Sequence, residues 1–128
     1  MKNRFDKWEM PEIKHGKLTK WNWVVQYPEG LTMGQKVDIG AFCYINSKYG
    51  LKIGDNVQLG SHCSIYTEST IDHKVGSINI GEGSSIGSHS TIMPGVKIGK
   101  NVTIGAHSFI NKDIPDNSRA YGVPVKIK

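Results

Sequence analysis

The sequence predicts an all-β fold, a parallel β-helix, because an aliphatic residue recurs every six positions and glycine often follows it directly. Residues six apart lie on opposing sides of an α-helix, since six residues make about 1.7 turns, and a single strand alternates with period two. A period of six fits a short strand and a turn, repeated around a solenoid. The aliphatic positions, which we expect to point inward, are Met33, Ile39, Ile45, Ile53, Leu59, Ile65, Ile71, Ile80, Ile86, Ile92, Ile98, Ile104 and Ile110.

The repeat divides the chain into three parts. Residues 33–115 carry the hexads and form about four to five three-sided coils. Residues 1–32 lack the hexad and hold all three tryptophans, Trp8, Trp21 and Trp23. We expect this segment to cap the first coil, because an open solenoid end exposes unpaired strand edges; binding of a substrate by the aromatic side chains is the alternative. Residues 116–128 form a C-terminal tail.

Two interruptions of the period mark places where the chain leaves the coil. The aliphatic spacing widens between Ile45 and Ile53, and again between Ile71 and Ile80. We therefore predict a loop over residues 72–77. Loops on rigid scaffolds often carry functional side chains, although a surface insertion without function is also well tolerated.

Composition narrows the class of partner. The net charge is +5, but no basic segment interleaved with aromatic residues runs across the repeats. Nucleic acid is therefore a disfavoured partner. No apolar run approaches the roughly 18 residues of a membrane span, and Met1 to Met10 carries no signal-peptide core, so we expect a cytoplasmic protein with no membrane partner. In that reducing compartment Cys43 and Cys63 are predicted to be small buried core residues.

Residues 33–128 resemble a known family, and the most specific motifs lie in the C-terminal part. The segments Ile92-Met93-Pro94-Gly95-Val96-Lys97-Ile98-Gly99, Ile104-Gly105-Ala106-His107-Ser108, Asn111-Lys112-Asp113-Ile114-Pro115 and Gly122-Val123-Pro124-Val125-Lys126 are similar in order and spacing to those of the hexapeptide-repeat acyltransferases. The likeness is to the galactoside, maltose, serine and sugar-nucleotide acetyltransferases. It implies a left-handed β-helix, a homotrimer, and acetyl-coenzyme A bound in a groove between neighbouring subunits.

The resemblance also implies roles for six residues in binding acetyl-coenzyme A. The small residue after Ile-Gly, here Ala106 beside Gly105, offers its backbone to the pantetheine arm. The pair before Asp-Ile-Pro, usually Thr-Lys and here Asn111-Lys112, lies beside the donor. Lys126 approaches the nucleotide phosphates, as a point charge without the fork of arginine. Ser88 matches a serine near the donor in the galactoside enzymes.

Acyl transfer needs a general base, and histidine, with an unperturbed pKa near 6.5, suits that role. His73 alone lies in the predicted loop, and the galactoside and serine enzymes carry their catalytic histidine in a comparable loop. In the galactoside and maltose group that histidine follows a Tyr-Thr-x-Thr segment at once, a place that Thr70 fills here. His62 and His89, at corner positions, are the alternatives. Asp72 is the candidate to orient the imidazole, with Glu68 or Asp38 from another subunit as competitors.

These observations predict an acetyl-coenzyme-A-dependent acyltransferase that acetylates an amino or hydroxyl group of a sugar or a nucleotide-linked amino sugar. A non-catalytic β-helix that serves as a scaffold or binding protein is the main alternative. A metal hydratase like the γ-carbonic anhydrases shares the solenoid, but two of its three zinc histidines lie five residues apart, and no two histidines here have that spacing. We therefore expect no metal.

Overall fold

The computed structural model describes residues 7–128, and this part of the chain is built from short β-strands with one 3-10 turn at Pro28–Gly30. The strands are β1 Val24–Gln26, β2 Leu31–Met33, β3 Asp38–Ile39, β4 Tyr44–Asn46, β5 Leu51–Ile53, β6 Gln58–Leu59, β7 Ser64–Tyr66, β8 Glu68–Ser69, β9 Lys74–Val75, β10 Ile78–Ile80, β11 Ser85–Ile86, β12 Thr91–Ile92, β13 Lys97–Ile98, β14 Thr103–Ile104, β15 Phe109–Ile110, β16 Arg119–Tyr121 and β17 Lys126–Ile127.

Three sheets of stacked strands form the sides of a prism. Sheet 1 has the order β1-β4-β7-β12-β15, sheet 2 the order β2-β5-β10-β13, and sheet 3 the order β3-β6-β11-β14-β16-β17. Neighbouring strands are parallel except for β16 and β17, which are antiparallel. Sheet 1 has one strand from each turn of the chain, so the described residues wind through five coils. The predicted parallel β-helix is confirmed.

The inside of the prism is a column of aliphatic side chains. Ile45, Ile65, Ile92 and Ile110 stack through sheet 1 and are fully buried, as are most of the other predicted inward residues. Ile71 is the exception and the prediction for it was wrong: its side chain is 95% exposed. The chain leaves the coil after Tyr66, and residues 68–75 form the separate hairpin β8–β9, so Ile71 has no place inside.

Glycine follows the inward aliphatic residue because the coils approach closely there. A Cβ added to Gly40 would lie 2.4 Å from the backbone nitrogen of Ser61, and one added to Gly60 would lie 2.5 Å from that of Ser88. Contacts this short do not occur between real Cβ atoms and backbone, so a side chain would force the coils apart. The Ile-Gly pair therefore sets both the inside packing and the coil spacing.

The N-terminal segment pairs with the first coil. The parallel strands begin at Val24, before the first hexad at Met33, and the preceding segment turns back along them, with Leu18 bridged antiparallel to Val24. The Trp8 indole N–H donates to the Val37 carbonyl at 2.9 Å. Residues 1–6 of the predicted cap lie outside the described residues. Among residues 7–128, no helix has the length and apolarity needed to cross a membrane.

The two cysteines form part of a vertical column of small side chains. Cys43 and Cys63 are free and buried, as predicted, and their thiols donate to the carbonyls of Gly60 at 3.1 Å and Gly87 at 3.2 Å. Ser90 continues the pattern, with its hydroxyl donating to Gly105 at 3.3 Å. A hydrogen bond with Cys63, together with burial, raises the pKa of the Cys43 thiol. These thiols therefore act as structural donors.

The stacked core generates a prediction about stability. Ile65→Ala, at a fully buried position, is expected to lower the free energy of unfolding by about 2–5 kcal/mol, because it removes buried methyl groups and leaves a cavity. The matched control Ile71→Ala, in the exposed hairpin, is expected to change it by no more than about 0.5 kcal/mol. Urea unfolding followed by circular dichroism measures both, and equal losses would contradict the assignment of inside and outside.

Candidate functional site

The predicted site residues lie at the corners of the prism. The histidine corner joins sheet 3 to sheet 1 and contains residues 40–43, 60–63, 87–90 and 105–108. The hairpin corner joins sheet 1 to sheet 2 and contains residues 27–30, 47–50, 67–77, 93–96 and 111–113. The asparagine corner joins sheet 2 to sheet 3 and contains residues 34–37, 54–57, 81–84, 99–102 and 115–118.

Three imidazoles form a continuous stack at the histidine corner. The rings of His62 and His89 have centroids 4.6 Å apart and are inclined by 8°, and those of His89 and His107 are 4.8 Å apart and inclined by 17°. Phe42 extends the column by one coil, with its ring 5.4 Å from that of His62. All three histidines are exposed. An imidazole can accept or donate a proton, so each histidine of this column is a candidate general base.

The backbone of this column occupies the left-handed region, which is costly for large side chains. Phe42, His62, His89 and His107 have φ between 59° and 65°. At the asparagine corner, the equivalent left-handed positions are mostly filled by residues that tolerate this conformation, namely Asn56, Gly83, Asn101 and Asn117, with Lys36 in the first coil. Histidine, like asparagine, is enriched among residues with this conformation, so only the ring of Phe42 is unusual there. The histidine corner is a functional candidate because it brings three imidazoles together.

The hairpin corner carries His73. Strands β8 and β9 pair antiparallel, with Glu68 opposite Val75 and Ser69 opposite Lys74. His73 lies in the connecting turn, with φ of 57° and an exposed side chain. The predicted loop over residues 72–77 is thus the second half of an ordered hairpin, which projects from the edge of sheet 1 opposite the histidine corner.

Asp72 neighbours His73 in sequence, and its carboxylate has other partners. A hydrogen bond from the Ser69 side chain lowers the pKa of Asp72, and the Lys74 ammonium, 3.7 Å away, lowers it further. Of the competing carboxylates, Glu68 lies on β8 and forms an ion pair with Lys48 at 3.7 Å. Asp38 lies on β3, in sheet 3.

The residues predicted to bind the donor occupy three places. Ser88, Gly105 and Ala106 lie at the histidine corner, next to His89 and His107 in sequence, and Ala106 is exposed. Asn111 and Lys112 follow β15 at the hairpin corner, and Lys126 lies on β17, at the end of sheet 3. Ser88 and Ala106 are stacked on successive coils, because the His107 amide donates to the Ser88 carbonyl at 2.9 Å. Within one copy, the residues predicted to bind acetyl-coenzyme A at the histidine corner and those at the hairpin corner therefore lie at opposite edges of sheet 1.

The sequence analysis did not predict the buried polar pair beneath the hairpin, which consists of Thr67 and Asn46. The Thr67 hydroxyl is fully buried, lies 2.9 Å from the side-chain oxygen of Asn46 and accepts the amide N–H of Tyr49 at 3.1 Å. A signal did exist: Thr67 follows Ile65 by two positions, and the two-residue alternation of a strand points both inward. The six-residue pattern marks only one inward position per repeat, so it does not predict the inward position of Thr67.

The tryptophan-rich segment encloses a separate cavity of about 390 Å³ at the first coil. Trp8, Trp21 and Trp23 line it together with Met33 and Val37. Asp38, one of the competing candidates to orient the imidazole, also lines it, whereas His73, Asp72 and the residues predicted to bind the donor do not. Among residues 7–128, no group of three or more histidine, cysteine, aspartate or glutamate side chains is arranged to hold a metal ion.

The contacts of Asp72 generate a prediction about pH. Ser69→Ala is expected to raise the pKa of the Asp72 carboxyl toward its ordinary value, because the largest stabilising contact of the charged form is lost. Lys74→Ala is expected to raise it less. A carbon-detected NMR titration of the carboxyl group measures both shifts, and an unchanged Asp72 pKa in Ser69→Ala would contradict the assigned cause.

Comparison with known proteins adds to this geometry. Residues 77–112 match the family described as bacterial transferase hexapeptide (six repeats). A maltose O-acetyltransferase from Clostridium difficile superposes with a TM-score of 0.77 at 31% identity, covering 84% of this chain and 62% of that one. A galactoside acetyltransferase in complex with coenzyme A superposes with a TM-score of 0.67 at 30% identity, covering 83% of this chain and 57% of that one.

One curated relative is a Bacillus subtilis protein named "Putative acetyltransferase YvoF", which is 33% identical over 56 residues, or 44% of this chain. This chain spans 33% of the length of that relative. The six-residue repeat and the five stacked coils are therefore similar to those of hexapeptide-repeat acetyltransferases over the parts of the chains that match.

Proposed function

We propose that this protein is an acetyl-coenzyme-A-dependent acyltransferase that acetylates an amino or hydroxyl group of a sugar or a nucleotide-linked amino sugar. The observation that carries the proposal is the stack of imidazoles directly beside Ser88 and Ala106, on a solenoid similar to that of sugar acetyltransferases. The sugar acceptor rests on the names of those structural neighbours.

The reaction needs a proton acceptor and a site that accommodates the donor. Acetyl-coenzyme A supplies a thioester, whose C–S bond breaks when the acceptor oxygen or nitrogen attacks the carbonyl carbon. A histidine takes the proton from the acceptor as it attacks, and the proton leaves with the coenzyme A thiol. The donor fits the histidine corner because Ser88, Gly105 and Ala106 are small and leave the backbone accessible there. The exposed ammonium groups of Lys112 and Lys126 suit its phosphates.

His73 is the proposed base, with His62 and His89 as alternatives. His73 and Asp72 lie at the hairpin corner, whereas Ser88 and Ala106 lie at the histidine corner, across the width of sheet 1. A homotrimer resolves this separation, because contact through sheet 1 brings the hairpin corner of one copy toward the histidine corner of the next. In this arrangement one copy supplies the base and its neighbour supplies the donor groove.

The outward side chains of the three sheets favour sheet 1 as the contact face. Its described outward residues carry no charge and are Val24, Gln26, Tyr44, Ser64, Tyr66, Thr91 and Phe109. Sheet 2 presents Lys52 and Lys97, and sheet 3 presents Asp38 and Arg119. Interfaces between copies are depleted of charged residues at their centres, which matches sheet 1.

Thiol release tests the activity and the base together. Purified protein, acetyl-coenzyme A and a panel of sugars and amino sugars are expected to release free thiol with at least one acceptor. His73→Ala is expected to lower kcat by about 10²–10⁴, the usual contribution of a general base. Ile71→Ala, a substitution of an exposed side chain in the same hairpin, serves as the control and should keep the rate.

Two outcomes would change the proposal. Full activity of His73→Ala, with loss in His89→Ala or His62→Ala, would move the base to the histidine corner. Absence of thiol release with every acceptor, combined with no binding of coenzyme A in calorimetry, would favour the non-catalytic scaffold.

The assembly is tested by matched arginine substitutions. Thr91→Arg on the outward side of sheet 1 is expected to dissociate the trimer, because it places a charge in an uncharged contact face. Thr103→Arg on the outward side of sheet 3 is expected to leave it intact. Sedimentation velocity reports the mass of each variant, and a trimeric Thr91→Arg variant would exclude sheet 1 as the interface.

A further inference from the structure

We infer that Thr67 is a positioning residue, which fixes the hairpin carrying His73 and Asp72 in the geometry that the transfer reaction requires. This inference rests on the proposed function for its catalytic meaning, and on the contacts at the base of the hairpin for its physical content. Those contacts belong to the second and third coils, at the hairpin corner.

The hairpin joins the coil through a narrow neck. Thr67 is the last residue before β8, and the Gly76 amide donates to its carbonyl at 2.9 Å, which closes the excursion. The Thr67 amide in turn donates to the Asn46 carbonyl at 3.1 Å, so the neck stays in register with the coil below. The position of the whole hairpin therefore depends on the orientation of this residue.

The Thr67 hydroxyl adds a second, side-chain attachment. It lies 2.9 Å from both the backbone and the side-chain oxygen of Asn46, so its proton is shared between them, and it accepts the Tyr49 amide N–H at 3.1 Å. Asn46 also accepts the Lys48 amide at 3.2 Å. The side chains of Thr67 and Asn46 are both buried.

These bonds matter because the rest of the hairpin has few contacts with the coil. Ile71 is almost fully exposed, Val75 is more than half exposed, and the Lys48–Glu68 ion pair joins an exposed ammonium to a partly buried carboxylate at 3.7 Å. Ion pairs that water still reaches contribute little. A buried hydrogen-bond network, in contrast, is strong and directional because competing water is excluded. The Thr67 hydroxyl is therefore the contact that restricts the direction in which the hairpin projects.

The test compares three variants of the full chain. Thr67→Val keeps the shape and removes the hydroxyl, Thr67→Ser keeps the hydroxyl, and Ser84→Ala removes an equally buried hydroxyl at the asparagine corner, where Ser84 donates to Gly99 at 2.8 Å. Thr67→Val is expected to lower kcat by about tenfold or more with little change in KM for acetyl-coenzyme A, since small misplacements of a catalytic group are costly. Thr67→Ser and Ser84→Ala are expected to keep kcat within about twofold of the unsubstituted protein.

A second measurement does not depend on activity. Trypsin cleavage after Lys74, in β9, is followed by mass spectrometry, and Thr67→Val is expected to speed it several-fold while Ser84→Ala does not. If Thr67→Val does not fold, Asn46→Ala provides the same comparison with a smaller expected effect, because the backbone carbonyl remains.

The outcomes separate the two proposals. Unchanged kcat and unchanged cleavage at Lys74 in Thr67→Val would overturn the positioning role. Equal loss of kcat in Ser84→Ala would also overturn it, because the effect would then follow from general destabilisation. If the unsubstituted protein releases no thiol with any acceptor, the proposed function fails, and the cleavage rates alone decide whether Thr67 fixes the hairpin.

Discussion

The structure depends on the close contact between successive coils. Parallel strands lie about 4.8 Å apart, and the glycines after the inward aliphatic residues permit this spacing because a side chain there would collide with the neighbouring backbone. Once the spacing is fixed, equivalent residues of each coil stand directly above one another. Residues at the same position of successive repeats then form a column of stacked side chains. The contacts of a side chain are therefore largely set by the column to which it belongs.

Three columns illustrate the consequence. The isoleucine column forms the core, the column of Cys43, Cys63 and Ser90 donates to backbone carbonyls, and the imidazole column forms an exposed corner. The first two stabilise the coil. The third has the same left-handed backbone as the asparagine corner, and it places imidazoles, which can exchange protons, at the surface.

Much of the fold was predictable from sequence because the repeat is long and strict. The inward positions of Ile45, Ile65 and Ile92 follow from the period alone, and the stacking of histidines at one hexad position follows from the register. Ile71 was misassigned because it fits the spacing although the chain has already left the coil, and spacing does not report where a segment departs. The role of Thr67 was missed for a related reason: its burial depends on strand alternation and on Asn46 in another coil, a contact between residues 21 positions apart.

The candidate site was predictable only in part. The residues suggested by resemblance lie at two corners and on the last strand, and sequence order gives no indication of which edge of a sheet each one borders. That distribution depends on where each turn of the chain falls around the prism. In the proposed homotrimer, the contact between copies would decide whether these residues act together.

The closed neck of the hairpin has a consequence for how such a protein changes over evolutionary time. Because Gly76 returns to Thr67 directly, residues can be added to or removed from the excursion without altering the height of any coil above it. The scaffold and the excursion are thus separable modules that can vary independently. The excursion can therefore change in length and sequence while the residues that pack the coils remain restricted by their close contacts.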